Sequence, residues 1–272
     1  MSQRYEKMFE KLKTRGEGAF IPFVMLGDPS IEKSEAIVET LIESGADALE
    51  LGIPFSDPVA DGVVIQAAAN RALNGGSTTD DCLAILAGVR KRHPEIPFGL
   101  LVYANLVLGR GMERFYARVF ECGVDSVLVA DVPTLSADSF TEAASKAGVA
   151  SVFIVPPNAS DETLRDIAKA SKGYVYFLGR AGVTGAEREM TAPLSSKIAF
   201  LKEAKSPPVV VGFGISRPEH VKACLAAGAD GAIAGSATVS IVAAHLDDDR
   251  KTREELGQFV RSMKAATRSV KQ

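Results

Sequence analysis

The chain has 272 residues, of which 46% are hydrophobic and 24% are charged, and its formal net charge is −3. This length and apolar content suffice for a large core, and the weak net charge argues against general attraction to nucleic acid or to an anionic membrane. Three dispersed cysteines, an N-terminus without an apolar signal core and the absence of a long apolar run predict a soluble, cytoplasmic protein with reduced thiols.

Short apolar runs alternate with amphipathic segments along the chain. Eight runs are apolar on both faces, which is typical of parallel strands covered by helices. These predicted strands span 19–26, 47–52, 98–103, 125–130, 150–155, 174–179, 208–213 and 230–235. Predicted helices span 2–14, 31–44, 78–92, 111–121, 136–147, 161–170, 193–204, 217–227 and 247–268.

Eight βα units in ~250 residues favour an α/β fold of the (β/α)8 TIM-barrel type over an open doubly wound sheet. We therefore predict a single domain over residues 1–272, with an extra N-terminal helix and a short phosphate-binding helix after the eighth strand. Helix-to-strand turns are indicated by Gly45, Gly123, Gly148 and Gly228, because glycine suits the left-handed residue just past a helix.

The second predicted strand ends with a carboxylate. Because side chains alternate along a strand, Leu49 and Leu51 suit the layer against the helices and Glu50 points into the barrel. Burial would raise the pKa of Glu50 toward neutrality, which suits a general acid or base. The alternative is a structural Glu50 paired with an interior cation, although no predicted strand contains Lys or Arg.

The loop after this strand carries Asp57 and Asp61, each of which also fits a solvated turn residue. Asp61 is one loop length from Glu50, and we expect it to fold back over the same mouth of the barrel. Two carboxyls in different environments can divide the chemistry, one transferring protons while the other stays ionised and stabilises positive charge.

Glycine-rich segments follow the last two strands, at 212–216 and 234–239. Loops in these places bind phosphate in many TIM barrels, because backbone N–H groups and a helix dipole attract the dianion. Gly214, Gly235 and Ser236 are the expected donors, and simple turns are the alternative. The segment 179–189 predicts either a mobile lid from which Arg180 and Thr184 reach a ligand, or a surface loop.

The remaining residue types narrow the chemistry. The three histidines have no metal-ligand spacing, so we expect no metal. No predicted strand contains Lys, which argues against a Schiff-base aldolase. The chemistry is therefore expected to rest on carboxylates and on phosphate anchoring.

The segment LELGIPFSDPVADGVVIQ (49–66) resembles the signature of the tryptophan synthase alpha subunit family, and FIPFVMLGDP, VLVADVP and GRAGVTG extend the similarity along nearly the whole chain. The resemblance implies a TIM barrel that cleaves indole-3-glycerol phosphate to indole and glyceraldehyde 3-phosphate by a retro-aldol reaction. It implies that Glu50 transfers protons, including one to indole C3, and that Asp61 stabilises positive charge at the indole nitrogen. It implies no cofactor in this chain.

The resemblance also implies binding residues. Those for the indole and glycerol parts are Phe23, Leu101, Tyr103, Leu128, Ala130, Ile154, Tyr176, Arg180 and Thr184. Those for the phosphate are Gly185, Phe213, Gly214, Gly235 and Ser236. Thr184 would orient Asp61. Met25, Val63 and Gly179 depart from the Thr, Pro and Ser that are common in the family.

A protein partner is implied as well, namely a pyridoxal-phosphate-dependent beta subunit in an αββα heterotetramer that receives indole through a tunnel. The matching contact positions are Pro54, Asp57, Pro58 and Asn105. Two alternatives are a free-standing indole-3-glycerol phosphate lyase and a non-catalytic barrel that binds a phosphorylated ligand. A sugar-phosphate epimerase or isomerase is a further alternative, but the chain lacks the metal ligands or paired acids expected of it.

Overall fold

The structure is a computed structural model that describes residues 3–179 and 187–268, without the side chains of 187–193. Nine strands lie in this part of the chain: β1 (Ala19–Met25), β2 (Leu49–Gly52), β3 (Phe98–Val102), β4 (Ser126–Val129), β5 (Ala150–Ser151), β6 (Ile154–Val155), β7 (Val175–Leu178), β8 (Val209–Gly212) and β9 (Gly231–Ala234). They form one parallel sheet in the order β5-β4-β3-β2-β1-β9-β8-β7-β6.

The two ends of this sheet are two halves of one predicted strand. In the first half, the N–H of Val152 donates to Val127 O of β4 at 3.1 Å. In the second half, Phe153 O accepts from the N–H of Tyr176 of β7 at 3.0 Å. The stretch 150–155 therefore joins both ends of the sheet and closes it into a barrel. The predicted TIM-barrel fold is confirmed, and its fifth strand is divided because the backbone changes partners at Val152 and Phe153.

The described helices are α1 (Gln3–Arg15), α2 (Ile31–Glu43), α3 (Val63–Asn74), α4 (Thr79–Arg92), α5 (Ala104–Leu108), α6 (Met112–Glu121), α7 (Asp138–Ala147), α8 (Asp161–Ala170), α9 (Glu187–Glu203), α10 (Pro218–Ala226), α11 (Ser236–Ala244) and α12 (Asp249–Ala265). The predicted helices are present with shifted ends, and α11 is the expected short helix after the last strand. Both α3 and α5 are additional to the prediction. The buried face of α3 is mostly alanine, which gives little hydrophobic contrast. None of the helices that the structure describes has the length and apolarity needed to cross a membrane.

Four glycines form the predicted helix-to-strand turns. Gly45, Gly123, Gly148 and Gly228 have φ values of 102°, 81°, 82° and 96°. Side chains rarely adopt this left-handed region, whereas glycine enters it without strain. Each of these turns leads into the next strand, and all strands of the barrel run in the same direction.

The strand side chains divide between two cores. Leu49 and Leu51 pack in the outer core between the sheet and the helices, whereas Ala48 belongs to the inner core of the barrel. This confirms the alternation predicted for β2. Glu50 lies between the two leucines with only 2% of its surface exposed, so its carboxyl faces the barrel interior.

Candidate active site

Glu50 is a buried carboxyl without a cationic partner among the described residues. Its β2 position pairs in register with Phe23 of β1 and Gly99 of β3. The hydroxyl of Tyr174 donates to Oε1 of Glu50 at 3.1 Å. Burial raises the pKa of Glu50 to about 8, the Tyr174 hydrogen bond opposes this shift, and the charge of Asp61 adds to it. Glu50 is therefore protonated at neutral pH and can act as an acid.

Asp61 lies half-buried at the end of the loop that follows β2. Its carboxyl accepts a hydrogen bond from Tyr103, and the Tyr103 hydroxyl accepts the N–H of Ala60 at 3.2 Å. Burial raises the pKa of Asp61, while the Tyr103 hydrogen bond lowers it. Because the charge of Asp61 acts on Glu50, the two carboxyls belong to one electrostatic site. Asp61 thus sits at the same mouth as Glu50.

Tyr103 is held by its ring as well as by its hydroxyl. The ring stacks on Phe55, with centroids 5.3 Å apart and planes inclined by 23°. Phe55 belongs to the loop after β2, and Tyr103 follows β3. Stacking and hydrogen bonding therefore tie the loop that bears Asp61 to the neighbouring strand.

Apolar side chains surround the carboxyls inside the barrel. The predicted binding residues that belong to the inner core are Phe23, Leu101, Leu128, Ala130, Ile154 and Tyr176. A Cβ added at Gly212 would lie 2.2 Å from the Tyr176 hydroxyl oxygen, so β8 needs a glycine there to admit this ring. The site accordingly offers an apolar, partly aromatic interior to a flat organic group.

A cavity of about 600 Å³ opens beside this interior, at the carboxyl ends of β4, β6 and β7. Its wall includes Ala60 next to Asp61, and its inner side is formed by Ala130 and Ile154. Phe213, which follows β8, also lines the cavity. The cavity thus extends from the aspartate loop to the loop predicted to bind phosphate, and its volume suits a small phosphorylated aromatic ligand.

Four of the five predicted phosphate residues lie directly after the adjacent strands β8 and β9. Phe213 and Gly214 both have φ values of 80°, and the Phe213 side chain is 60% exposed. Gly235 precedes α11 and Ser236 begins it, so the free N–H groups of the first helical turn lie at this rim. The arrangement can bind an anion without a lysine. Arg180, Thr184 and Gly185 lie outside the described residues.

The positions that the resemblance assigns to partner contacts differ in exposure. Asp57 and Asn105 are exposed and Pro58 is half-buried, whereas Pro54 is buried. Large apolar side chains also project from loops and helix ends that follow β2, β3 and β4. These exposed residues are Val59, Val63, Leu108 and Leu135. Exposed apolar groups on one rim are typical of a protein interface.

Tyr174 is a site residue that the sequence prediction missed. It stands two residues before Tyr176, and this spacing along a strand places both side chains on the inner face. The buried hydroxyls of Tyr5 and Ser126 lie 3.1 Å apart, and neither residue was among the predicted site residues. No group of three or more metal-ligating side chains occurs within residues 3–179 and 187–268.

Comparisons with known proteins place nearly the whole chain in one family. The family model for "Tryptophan synthase alpha chain" matches residues 9–268. The tryptophan synthase alpha chain of Escherichia coli O81 (strain ED1a) is 56% identical over 267 residues, which cover 98% of this chain and 100% of the relative. Subunit alpha from Legionella pneumophila str. Paris superposes with a TM-score of 0.88 at 32% identity, covering 97% of this chain and 98% of that one. A chain of the tryptophan synthase α2β2 complex from Pyrococcus furiosus gives a TM-score of 0.82 at 36% identity, over 91% and 98% of the two chains.

Proposed function

This chain belongs to the tryptophan synthase alpha chain family, and from its geometry we propose how Glu50 and Asp61 share the chemistry of that enzyme. The chain is a lyase that cleaves indole-3-glycerol phosphate to indole and glyceraldehyde 3-phosphate. The observation behind the proposal is the burial of Glu50 beside Asp61, with no cationic partner for Glu50 among residues 3–179 and 194–268, which keeps this carboxyl protonated.

Glu50 is the proton-transfer group of the proposal. Its carboxyl proton passes to C3 of the indole ring, which leaves a positive charge at the ring nitrogen. The bond between C3 and the first glycerol carbon then breaks, and its electron pair returns to the ring. The hydroxyl on that carbon becomes the aldehyde oxygen, and its proton passes to the Glu50 carboxylate.

Asp61 is the charge-stabilising group of the proposal. The half-exposed carboxyl accepts the indole N–H, and its negative charge offsets the positive charge that develops on the nitrogen. Burial raises the pKa of Asp61, and the Tyr103 hydrogen bond opposes this rise by favouring the ionised form. The two carboxyls differ in burial, since Glu50 is fully buried and Asp61 is half-exposed, and the proposal assigns the protonated form to Glu50 and the ionised form to Asp61.

The substrate is held by the inner core and by the rim. The indole ring would lie among Phe23, Leu101, Tyr103, Leu128, Ala130 and Ile154, with Tyr176 beside the glycerol chain. The phosphate would bind the N–H groups around Gly214 and Gly235 and the Ser236 hydroxyl. The family resemblance is the basis for proposing three further ligand contacts, namely Arg180, Thr184 and Gly185.

We also infer that the chain binds a beta subunit in an αββα assembly. Support comes from the similarity to a chain of the Pyrococcus furiosus α2β2 complex and from the exposed Asp57 and Asn105. Val59 and Leu135 are 81% and 89% exposed, which adds apolar surface to the same rim. Indole would pass directly to the partner, which would hold pyridoxal phosphate for the following step. The cleavage derived above uses residues of this chain alone.

A cytoplasmic location and a single domain belong to the same proposal. Cys82, Cys122 and Cys224 are unpaired and buried, which suits a reducing compartment. One continuous sheet order from the first strand to the last supports one domain.

The test is indole release by Glu50→Gln and Asp61→Asn, with the exposed Glu95→Gln as the matched control. We expect turnover to fall by at least ~10²-fold for Glu50→Gln, because a general acid–base group is lost, while substrate affinity stays within a few-fold. The control should match the wild type. Near-normal turnover of Glu50→Gln would remove Glu50 from the mechanism. Indole release at a rate unchanged by added beta subunit would contradict the partner-dependent assignment.

A further inference from the structure

His220 lies in the first turn of α10, directly behind the proposed phosphate loop. It is the third residue of that helix, and only 8% of its surface is exposed. Its Nδ1 accepts the backbone N–H of Ser216 at 3.2 Å. The side chain therefore reaches back from the helix and fixes the last part of the loop between β8 and α10.

The loop that His220 holds has an unusual backbone. Phe213 and Gly214 are consecutive residues with φ of 80°, a region that a residue with a side chain seldom adopts. Phe213 is 60% exposed, so burial of its ring does not account for this conformation. The conformation must therefore be maintained by the anchors on either side of these two residues.

Two sets of anchors flank the pair. On the strand side, Gly212 O accepts the N–H of Gly179 at 2.9 Å. On the helix side, Ile215 is buried and Ser216 is bonded to His220. Of the anchors that the described residues provide on the helix side, loss of the Ser216 bond would leave the buried Ile215 side chain, which would allow the peptide groups next to Gly214 to turn.

We propose that His220 is a positioning residue for phosphate recognition, acting through the Ser216 amide to hold Phe213 and Gly214 in their anion-binding conformation. This inference rests on the phosphate site of the proposed function. It assigns the acceptor role to Nδ1, so the neutral ring carries its proton on Nε2. Nη2 of Arg217 lies 3.2 Å from Nε2, so this donor competes with the Ser216 N–H for the one acceptor nitrogen of a neutral ring. The Ser216 hydroxyl lies 3.5 Å from Nδ1, on the same side of the ring as the Ser216 N–H.

The test compares two substitutions at one position. His220→Leu removes the acceptor, whereas the Oδ1 atom in His220→Asn lies close to the place of Nδ1. We expect His220→Leu to raise both the KM for indole-3-glycerol phosphate and the Kd for glycerol 3-phosphate by roughly 3- to 10-fold, the range of one hydrogen bond. The kcat and the affinity for indole should stay within about 2-fold. His220→Asn should restore both constants to within about 2-fold of the wild type.

A purely helix-capping role would lower the melting temperature of His220→Leu without changing the affinity for glycerol 3-phosphate, and that result would overturn the inference. Nitrogen NMR of the wild type provides a second measurement that needs no variant. It should show an unprotonated Nδ1 at His220, and a protonated Nδ1 would also overturn the inference.

Ser236→Asp separates this inference from the proposed function, because it places a negative charge at the start of α11. We expect it to weaken glycerol 3-phosphate binding by more than ~10-fold, through repulsion of the dianion. If Ser236→Asp weakens binding and His220→Leu does not, the role of His220 is wrong and the phosphate site stands. If neither variant changes binding, the proposed phosphate site is itself wrong.

Discussion

The Tyr174 hydroxyl donates to Oε1 of Glu50 across 3.1 Å, in a part of the barrel where both side chains are buried. This neutral donor favours the ionised carboxyl, whereas burial disfavours it more strongly. The resulting pKa of about 8 lies where Glu50 can release a proton and take it back. Tyr174 therefore lowers the pKa of Glu50 but does not itself act as the acid.

This balance predicts the pH dependence of cleavage. Because the protonated form of Glu50 is the acid, we expect kcat/KM to fall above about pH 8 as the carboxyl ionises. Tyr174→Phe removes a hydrogen bond that lowers the pKa of Glu50, so the falling limb should move to higher pH. The measurement is kcat/KM between pH 6 and about pH 10 for each protein. The control is Tyr116→Phe, another buried tyrosine far from the carboxyls, and a limb that moves downward in Tyr174→Phe would contradict the assignment.

The raised pKa of Glu50 also predicts a stability difference. Between the ordinary value of 4.5 and about 8, the folded protein keeps a proton that the unfolded chain has released. The stability contributed by this proton is complete below pH 4.5 and is lost as pH rises through 8. Glu50→Gln has no such loss, so at about pH 8.5 it should exceed the wild type by roughly 5 kcal/mol in free energy of unfolding, at ~1.4 kcal/mol per pKa unit over the rise from 4.5 to about 8.

Urea unfolding of the wild type and of Glu50→Gln at about pH 5 and about pH 8.5 measures this difference. The gap between the two proteins should be small at the lower pH and large at the higher one. A gap that is the same at both values would show that Glu50 keeps an ordinary pKa in the folded protein.

Tyr103 provides a test of Asp61. Tyr103→Phe removes the donor to the Asp61 carboxyl and the acceptor for the Ala60 N–H, but it keeps the ring that stacks on Phe55. We expect turnover to fall by roughly 3- to 10-fold, in line with one or two hydrogen bonds. The pKa of Asp61 should rise, so activity should be lost at a higher pH than in the wild type when the solution is acidified. An unchanged acid limb would show that Tyr103 does not act on Asp61.

The contact between Gly212 and Tyr176 predicts a non-additive pair of substitutions. Gly212→Ala places a methyl group 2.2 Å from the position of the Tyr176 hydroxyl oxygen, so the ring must move out of the site. We expect kcat/KM to fall at least ~10-fold, and we expect a smaller effect when Tyr176→Leu is already present. A double-mutant cycle measures the coupling, and strictly additive effects would mean that the ring is not displaced.

Gly88→Ala is the matched control for this pair. Gly88 lies within α4, where an added Cβ meets only ordinary contacts at 3.7 Å or more. We expect unchanged kinetics and a gain of about 0.5–1 kcal/mol in the free energy of unfolding, because alanine favours a helix more than glycine. A loss of activity in this variant would indicate that the enzyme tolerates glycine replacements poorly in general.

The sequence predicted the parts of the fold that depend on local pattern. The alternation of Leu49, Glu50 and Leu51 sufficed to direct the carboxyl inward, and the left-handed turn at Gly148 followed from the position of a glycine after a helix. The division of the fifth strand could not be predicted, because it depends on where the closing barrel exchanges one neighbour for another.

The interactions that tune the site are long-range, and this is why they were missed. Tyr174 and Glu50 are 124 residues apart, and Tyr103 and Ala60 are 43 apart, so no local pattern connects either pair. Alternation does place Tyr174 on the face of Tyr176. Only the closed barrel shows that its hydroxyl meets the carboxyl on β2.

Glu50 has almost no contact with bulk water, since 2% of its surface is exposed. On the proposed route, the carboxyl gives one proton to C3 and receives one from the glycerol hydroxyl, so it ends each turnover in the form in which it began. Regeneration of the protonated Glu50 therefore needs no water molecule, and the burial of its carboxyl does not slow the catalytic cycle. The substrate itself therefore supplies the proton that restores Glu50 for the next turnover.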